Sequence, residues 1–322
     1  METINFIDRS NEASVQQGLT FLCEQLTALD VRANWYPKVE QAEPGAILLL
    51  HDPVDEDKIP PGCRVLGQRC LNRRQRLVLA ERCGLPVVSW ASLADINDIP
   101  KLFDRWGVDA FLFKADWSYS RGGIKCLTRR DWQPFNPRRF NPDADIFMRI
   151  LNGSPDTHKV DLFYDQAFAC RHMHTRSVFD RKFYKGFYQR SELGLVPPLK
   201  KALAKLGKAL TLYGQGFSGV DFMYDAQGQP WVIELNTSSL GREGTWSRWP
   251  DVYLQGYLAG LKSWIKAGCP AQFCNGIPAQ AAQLSDSWGG ALPQSRPDSA
   301  VSAGLNTPRV TKTDKQLDGV RG

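Results

Sequence analysis

The stretch Gly219–Asn236 reads GVDFMYDAQGQPWVIELN. Val220, Phe222 and Tyr224 alternate with other residues, and so do Trp231, Ile233 and Leu235. Period-two alternation rich in aromatic and β-branched residues predicts two strands. Asp225 and Gly228 lie between them. Asp bonds its own backbone and Gly tolerates positive φ, so the pair predicts a turn. A hairpin centred between Gln227 and Gly228 pairs positions whose numbers sum to 455, which sets Asp221 opposite Glu234. Opposite residues share a sheet face, with Cβ atoms roughly 5 Å apart. Asn236, two along from Glu234, shares that face, and Ile233 and Leu235 take the other.

Two carboxylates so close repel unless a cation lies between them. Hard divalent cations take oxygen ligands, and Mg²⁺ combines one or two carboxylates with substrate phosphates. Asp221, Glu234 and Asn236 are therefore candidate metal ligands in a magnesium–nucleotide site. The plain alternative is the polar face of an ordinary hairpin.

Upstream, Ala110–Lys114 (AFLFK) predicts a strand ending in a lysine, followed by the loop Ala115–Gly123 (ADWSYSRGG). A strand-end lysine can meet a phosphate as a point charge. The glycines Gly122 and Gly123 let backbone N–H groups approach phosphate oxygens. Arg121 offers a bidentate phosphate contact. A solvated strand edge is the simpler reading of Lys114 taken alone. After the hairpin, Thr237–Gly244 (TSSLGREG) predicts a flexible loop in which Arg242 can neutralise an anionic substrate or lie on a surface turn. Arg171 and Arg176, within RHMHTR, are candidates for an acyl phosphate or a substrate carboxylate. His172 and His174 share a strand face but lack a third ligand. The basic and aromatic run Phe179–Tyr188 suits a substrate loop.

The chain has 322 residues, 43% hydrophobic and 23% charged, with net charge +6. That is ordinary globular composition. The mild positive charge fits an anionic ligand such as ATP and does not imply nucleic acid. No apolar run approaches ~18 residues, so no membrane span is expected. The N-terminus lacks the pattern of a secretory signal. Eight cysteines without a CxxC pair argue against a zinc cage or a disulfide framework. A cytoplasmic setting with reduced thiols is expected.

The expected fold class is α/β. Residues 1–100 form an N-terminal α/β domain, with a helix over Ala13–Leu29, a buried strand at Ile47–Leu50, a helix over Asn72–Cys83 and a strand over Pro86–Trp90. Residues 101–145 form a second piece with strands at Ala110–Lys114 and Ile124–Leu127. Residues 146–268 form a third, with strands at Ile146–Ile150, Lys159–Tyr164 and Ala167–His172. Its helices are Leu199–Tyr213, with a lysine-rich outer face, and Asp251–Lys266. From Pro270 onward Gly, Pro, Ser, Gln and Ala dominate, so 269–322 is expected to be a disordered tail.

In this order the parts resemble the ATP-grasp superfamily, and within it the branch of ribosomal-protein glutamate ligases and glutathione synthetases. The resemblance covers about Asn72 to Trp264 and rests most on GVDFMYDAQGQPWVIELN followed by TSSLGREG. It implies an ATP-grasp fold, with 101–145 as the nucleotide-lid subdomain and 146–268 as an antiparallel-sheet subdomain carrying the metal site. It implies that Asp221, Glu234 and Asn236 hold two Mg²⁺ ions, or Mn²⁺, against ATP. Lys114 would contact the nucleotide phosphates and Arg121-Gly122-Gly123 would close over them. The backbone of Met148, Arg149, Ile150 and Leu151 would read adenine. The family's earlier nucleotide lysine falls at Arg73 or Arg74, the hinge lacks its usual acidic residue, and no proline follows Asn236. The implied activity is an ATP-dependent carboxylate–amine ligase working through an acyl phosphate, on small-molecule or peptide substrates. A kinase on the same scaffold and a non-catalytic nucleotide-binding protein are the competing classes.

Overall fold

The structure is a computed structural model that describes residues 3–9, 13–51, 54–67, 71–92, 98–116, 124–133, 135–136, 140–153, 156–173, 188–190, 197–237 and 250–271. All of them lie in one unit of chain, residues 1–289. Among the described residues three sheets carry the fold.

The first sheet is parallel, in the order β2-β1-β3-β4. Its strands are β1 (Ile4–Ile7), β2 (Ala33–Tyr36), β3 (Ile47–Leu50) and β4 (Arg64–Leu66). β1 and β3 are buried along their whole length, as a doubly covered parallel sheet requires. Helix α1 (Ala13–Thr27) buries Val15, Leu19, Leu22 and Leu26 at helical spacing. The next helix, α2 (Arg73–Arg82), opens on a capping box. Asn72 accepts from the Gln75 N–H, and the Gln75 side chain accepts from the Asn72 N–H.

The second sheet has the order β5-β8-β6-β7, antiparallel throughout. It comprises β5 (Trp90–Ser92), β6 (Ala110–Lys114), β7 (Ile124–Thr128) and β8 (Ile146–Arg149). Helix α3 (Ile99–Trp106) packs Ile99, Leu102, Phe103 and Trp106 into its aromatic core with Phe111, Phe113, Phe135 and Phe147. This sheet draws β5 and β8 from either side of the boundaries expected at 100 and 145. The strand expected over Pro86–Trp90 is split: Val87 bridges Val232, and the strand proper begins only at Trp90.

The third sheet runs β11-β10-β9-β12-β13, also antiparallel. Its strands are β9 (Thr157–Phe163), β10 (Gln166–Met173), β11 (Tyr188–Arg190), β12 (Ser218–Tyr224) and β13 (Pro230–Thr237). Helix α4 (Pro197–Leu212) and α2 cover one face, burying Val160, Leu162, Val220, Phe222, Val232 and Leu235. Helix α5 (Pro250–Lys266) covers part of the other through Phe163, Phe168 and Phe217. α2 thus packs in one core with the third sheet, although 1–100 was expected to fold as one piece. Among the described residues no helix is long and apolar enough to cross a membrane.

Candidate functional site

The hairpin β12–β13 forms as its sequence predicts. Asp225 ties the turn: Oδ1 accepts from the Gln227 and Gln229 N–H groups and Oδ2 from Trp231 Nε1. Asp221 pairs with Glu234, Val220 with Leu235 and Gly219 with Asn236. The single turn centre fails nearer the tip, where Phe222 pairs with Val232 and Met223 with Trp231. One residue, Ile233, is extra on β13. A bulge of this kind re-aims the backbone beside it. The Ile233 carbonyl here accepts from Lys114 Nζ at 3.0 Å. The bulge therefore docks the strand-end lysine of the second sheet onto the hairpin of the third.

Around this contact the acids and bases interlock. Asn236 Nδ2 donates to Asp221 Oδ2 at 2.8 Å. Arg73, in the first turn of α2, donates from Nη1 to Glu234 Oε1 at 3.0 Å. The neighbouring Arg76 reaches Asp116 Oδ1 at 3.2 Å. That same oxygen accepts the Arg73 main-chain N–H. The Asp116 carbonyl accepts from Arg73 Nη2 at 3.4 Å. The Asp116 N–H donates to Asp145 Oδ1 at 2.7 Å, and Asp145 Oδ2 accepts from the Asn141 N–H. Arg73, Arg76, Lys114, Asp116 and Asp145 are all buried.

Burial shapes the titration of these groups. It pulls Lys114 down to about 8, against the opposing pull of Glu234. Burial alone pushes the Glu234 carboxyl up, but Arg73, Lys114 and Arg76 outweigh it and hold it below its ordinary value. Burial raises Asp116, with Arg76 and Arg73 opposing. Arg76 is lowered by burial to about 10 and stays cationic at neutral pH.

Residues on neighbouring strands extend the polar face. Lys159 on β9 is opposite Asp221, and Asp161 is opposite Gly219. A Cβ at Gly219 would meet Lys159 Cε at 2.3 Å and Asp161 Oδ1 at 3.3 Å. The lysine side chain crosses the sheet where the glycine leaves room, which gives the first residue of GVDF a physical role.

The chemistry of this donor set suits Mg²⁺. Among the described residues no three His, Cys, Asp or Glu side chains gather as a metal cage. Two carboxylates and an amide leave coordination positions open, as a cation shared with nucleotide phosphates requires.

Of the residues singled out from sequence, Asp221, Glu234, Asn236, Lys114 and Arg73 come together. Arg74 follows on α2, but it is Arg73 that meets Glu234. Met148 is buried in the core, and the Arg149 N–H is committed to the Ser89 carbonyl at 2.8 Å. Ile150 and Leu151 follow the end of β8, and the next residue, Asn152, accepts from the Ala226 N–H of the hairpin turn. Arg171 lies on β10, in register with Lys159 and Arg190. Arg121, Gly122, Gly123, Arg176 and Arg242 lie outside the described residues, as do His174, most of Phe179–Tyr188 and the expected tail beyond 271. Sequence reasoning missed Arg76, Asp116, Asp145 and Lys159. Asp116 had one signal, since it stands two residues past a strand-end lysine at the start of the expected loop.

No protein-family model matches this chain, and none of the curated proteins matches its sequence. Solved structures do resemble it. The ATP-grasp ligase PsnB with its minimal precursor is 17% identical with a TM-score of 0.54, covering 81% of this chain and 99% of PsnB. PsnB is also known with Mg and ADP, at a TM-score of 0.53, 18% identity, and 82% and 98% coverage. The macrocyclase MdnC with precursor peptide MdnA from Microcystis aeruginosa is 10% identical, TM-score 0.53, covering 81% and 98%. D-alanine–D-alanine ligase from Bacillus anthracis is 15% identical, TM-score 0.51, covering 83% and 98%. At these identities the likeness shows the fold: the chain has the mixed α/β architecture of the ATP-grasp ligases.

Proposed function

We propose that the protein is an ATP-dependent carboxylate–amine ligase, related to the ribosomal-protein glutamate ligase and glutathione synthetase branch. The observation that carries this reading is the pairing of Asp221 with Glu234, with Asn236 beside them and Lys114 and Arg73 held against the same hairpin. In this reading the second sheet is the nucleotide lid, drawing β5 and β8 from outside the expected 101–145 segment, and the third sheet carries the metal.

Asp221, Glu234 and Asn236 would hold two Mg²⁺ ions, or Mn²⁺ in their place. When bound, these ions supply charge neutralisation of the nucleotide phosphates. Lys114 and Arg73 bring preorganised positive charge to the phosphates, so little reorganisation remains at the moment of transfer. The backbone of Ile150 and Leu151 is left to read adenine, with Arg121, Gly122 and Gly123 over the phosphates. A substrate carboxylate oxygen attacks the γ-phosphorus and ADP departs, giving an acyl phosphate. An amine nitrogen then attacks the acyl carbon, phosphate leaves, and the nitrogen gives up a proton to form the amide. Arg171, Arg176 or Arg242 holds the acyl phosphate. PsnB and MdnC are described with precursor peptides, which supports a peptide or an amino acid as the substrate class here. Cys23, Cys63, Cys83 and Cys126 are not disulfide-bonded, which fits a cytoplasmic setting.

The test is ADP release across amino acids and peptides with Mg–ATP. Activity should need both a carboxylate and an amine, and Glu234→Ala should lower it by at least ~10²-fold. A stable phosphorylated product formed without an amine would instead make the protein a kinase. Turnover unchanged in Glu234→Ala would sink the assignment.

A further inference from the structure

We propose that Asp116 is a positioning residue for Arg73, and that its carboxylate matters more when the site is loaded than when it is empty. The inference rests on the magnesium–nucleotide reading of the hairpin. As the chain stands, Glu234 partly neutralises Arg73 across a 3.0 Å contact. A divalent cation on Glu234 competes for that same charge. Arg73 and Arg76 are 4% and 5% exposed, so water cannot replace the lost counter-charge. Asp116 is a carboxylate that stays on both, with its Oδ1 shared by the Arg73 N–H and Arg76 Nη2.

Asp116 is also fixed from behind. Its N–H is bound by Asp145, whose other oxygen takes the Asn141 N–H. Segment 141–145, the end of β6 and the start of α2 are thereby locked to one another around a single side chain. The second Asp116 oxygen, Oδ2, is buried and has no hydrogen-bond partner among the described residues. An unsatisfied buried carboxylate oxygen is costly. Hydrogen bonding alone therefore does not account for a carboxylate at this position, whereas compensation of two buried guanidinium groups does. Residues that orient ligating or charge-bearing groups from behind typically change affinity by ~10–100-fold when replaced.

The experiment is calorimetric titration of the full chain with Mg²⁺ and a non-hydrolysable ATP analogue, beside thermal melting without ligand. Asp116→Asn should weaken binding by ~10–100-fold, with a much smaller change in ligand-free melting. Asp116→Glu should recover part of the affinity. In an Arg73→Met background Asp116→Asn should cost little more, because the two act through one contact. Asp145→Asn, which keeps an acceptor for only one of the Asp116 and Asn141 N–H groups, should give a smaller ligand-selective loss and stands in if Asp116→Asn does not fold. Wild-type affinity in Asp116→Asn, or an undiminished loss in the Arg73→Met background, would overturn the proposal. Failure of the wild-type chain to bind the nucleotide would overturn the underlying reading instead.

Discussion

One face of the five-stranded sheet has two ends, built from the same strands. At one end Phe163, Phe168 and Phe217 pack beneath α5 against Tyr257 and Trp264. Two residues along each strand, Phe163 gives way to Asp161 and Phe217 to Gly219, then to Lys159 and Asp221. Along β9 the change from aromatic to charged takes a single same-face step, and toward β12 a glycine stands between. The apolar end fixes the sheet on α5, and the charged end is held rigid enough to keep opposed carboxylates beside buried cations.

If that division of labour holds, damage to the apolar end should appear as lost stability, not lost affinity. Trp264 is fully buried, with its ring edge-on to Phe163 and its Nε1 donating to the Pro270 carbonyl. Trp264→Ala should cost about 3–5 kcal/mol from lost burial and the cavity left behind. In a chain of this size that lowers the melting temperature by about 10 °C. Below the transition, Mg–nucleotide affinity should stay within a few-fold of wild type. A selective loss of affinity without loss of stability would mean that α5 belongs to the site.

At the charged end the opposite signature is expected from Lys114. Its folded pKa is about 8, below the ordinary 10.5, so the unfolded chain holds this proton more tightly. Stability from this group therefore rises as pH climbs from about 8 to about 10.5. If Lys114 meets the phosphates as proposed, binding needs the charged amine, and affinity should fall over the same range by up to ~10-fold per pH unit. Calorimetry and melting across this range should show opposite slopes, and Lys114→Met should abolish both. Affinity flat to pH 10 would remove Lys114 from the phosphate site.

The charged end also shows where sequence reading stops. The pairing of Asp221 with Glu234 was legible because strand alternation and turn chemistry are local. The helix α2 was legible from its stop at Gly84 and Pro86, while its capping box at Asn72 emerged only in the fold. The Ile233 bulge was not, since the unbroken alternation of Trp231, Ile233 and Leu235 hides a one-residue shift that buries Val232 with Leu235, and without it the docking of Lys114 has no visible cause. Arg76, Asp116 and Asp145 lie on three segments that meet only through the packing of α2 and β6 against β13. Single charged residues there look like solvated faces until the fold buries them. Helix α3 carries Ile99, Leu102, Phe103 and Trp106 at helical spacing, but its 8 residues make barely two turns, too few for the period to stand out. β1, β2, β4 and β11 are strands of three or four residues, too short for alternation to register.

The finest test compares two glycines, one at each end of the face. A Cβ at Gly256 of α5 would lie 2.4 Å from both Cβ and Cγ of Phe168. That ring is locked in the core, so Gly256→Ala should cost about 1–3 kcal/mol by overpacking, despite the better helix propensity of Ala. A Cβ at Gly219 meets mainly the far end of Lys159, which is free to swing aside. Gly219→Ala should therefore change stability by less than about 1 kcal/mol. The displaced ammonium leaves its place over Gly219, so ADP release should fall a few-fold while the fold stays intact. Lys159→Met should reproduce that kinetic loss, and adding Gly219→Ala to it should do nothing more. If Gly219→Ala instead melts the protein as Gly256→Ala does, the charged end is as tightly packed as the apolar one, and the division between them fails.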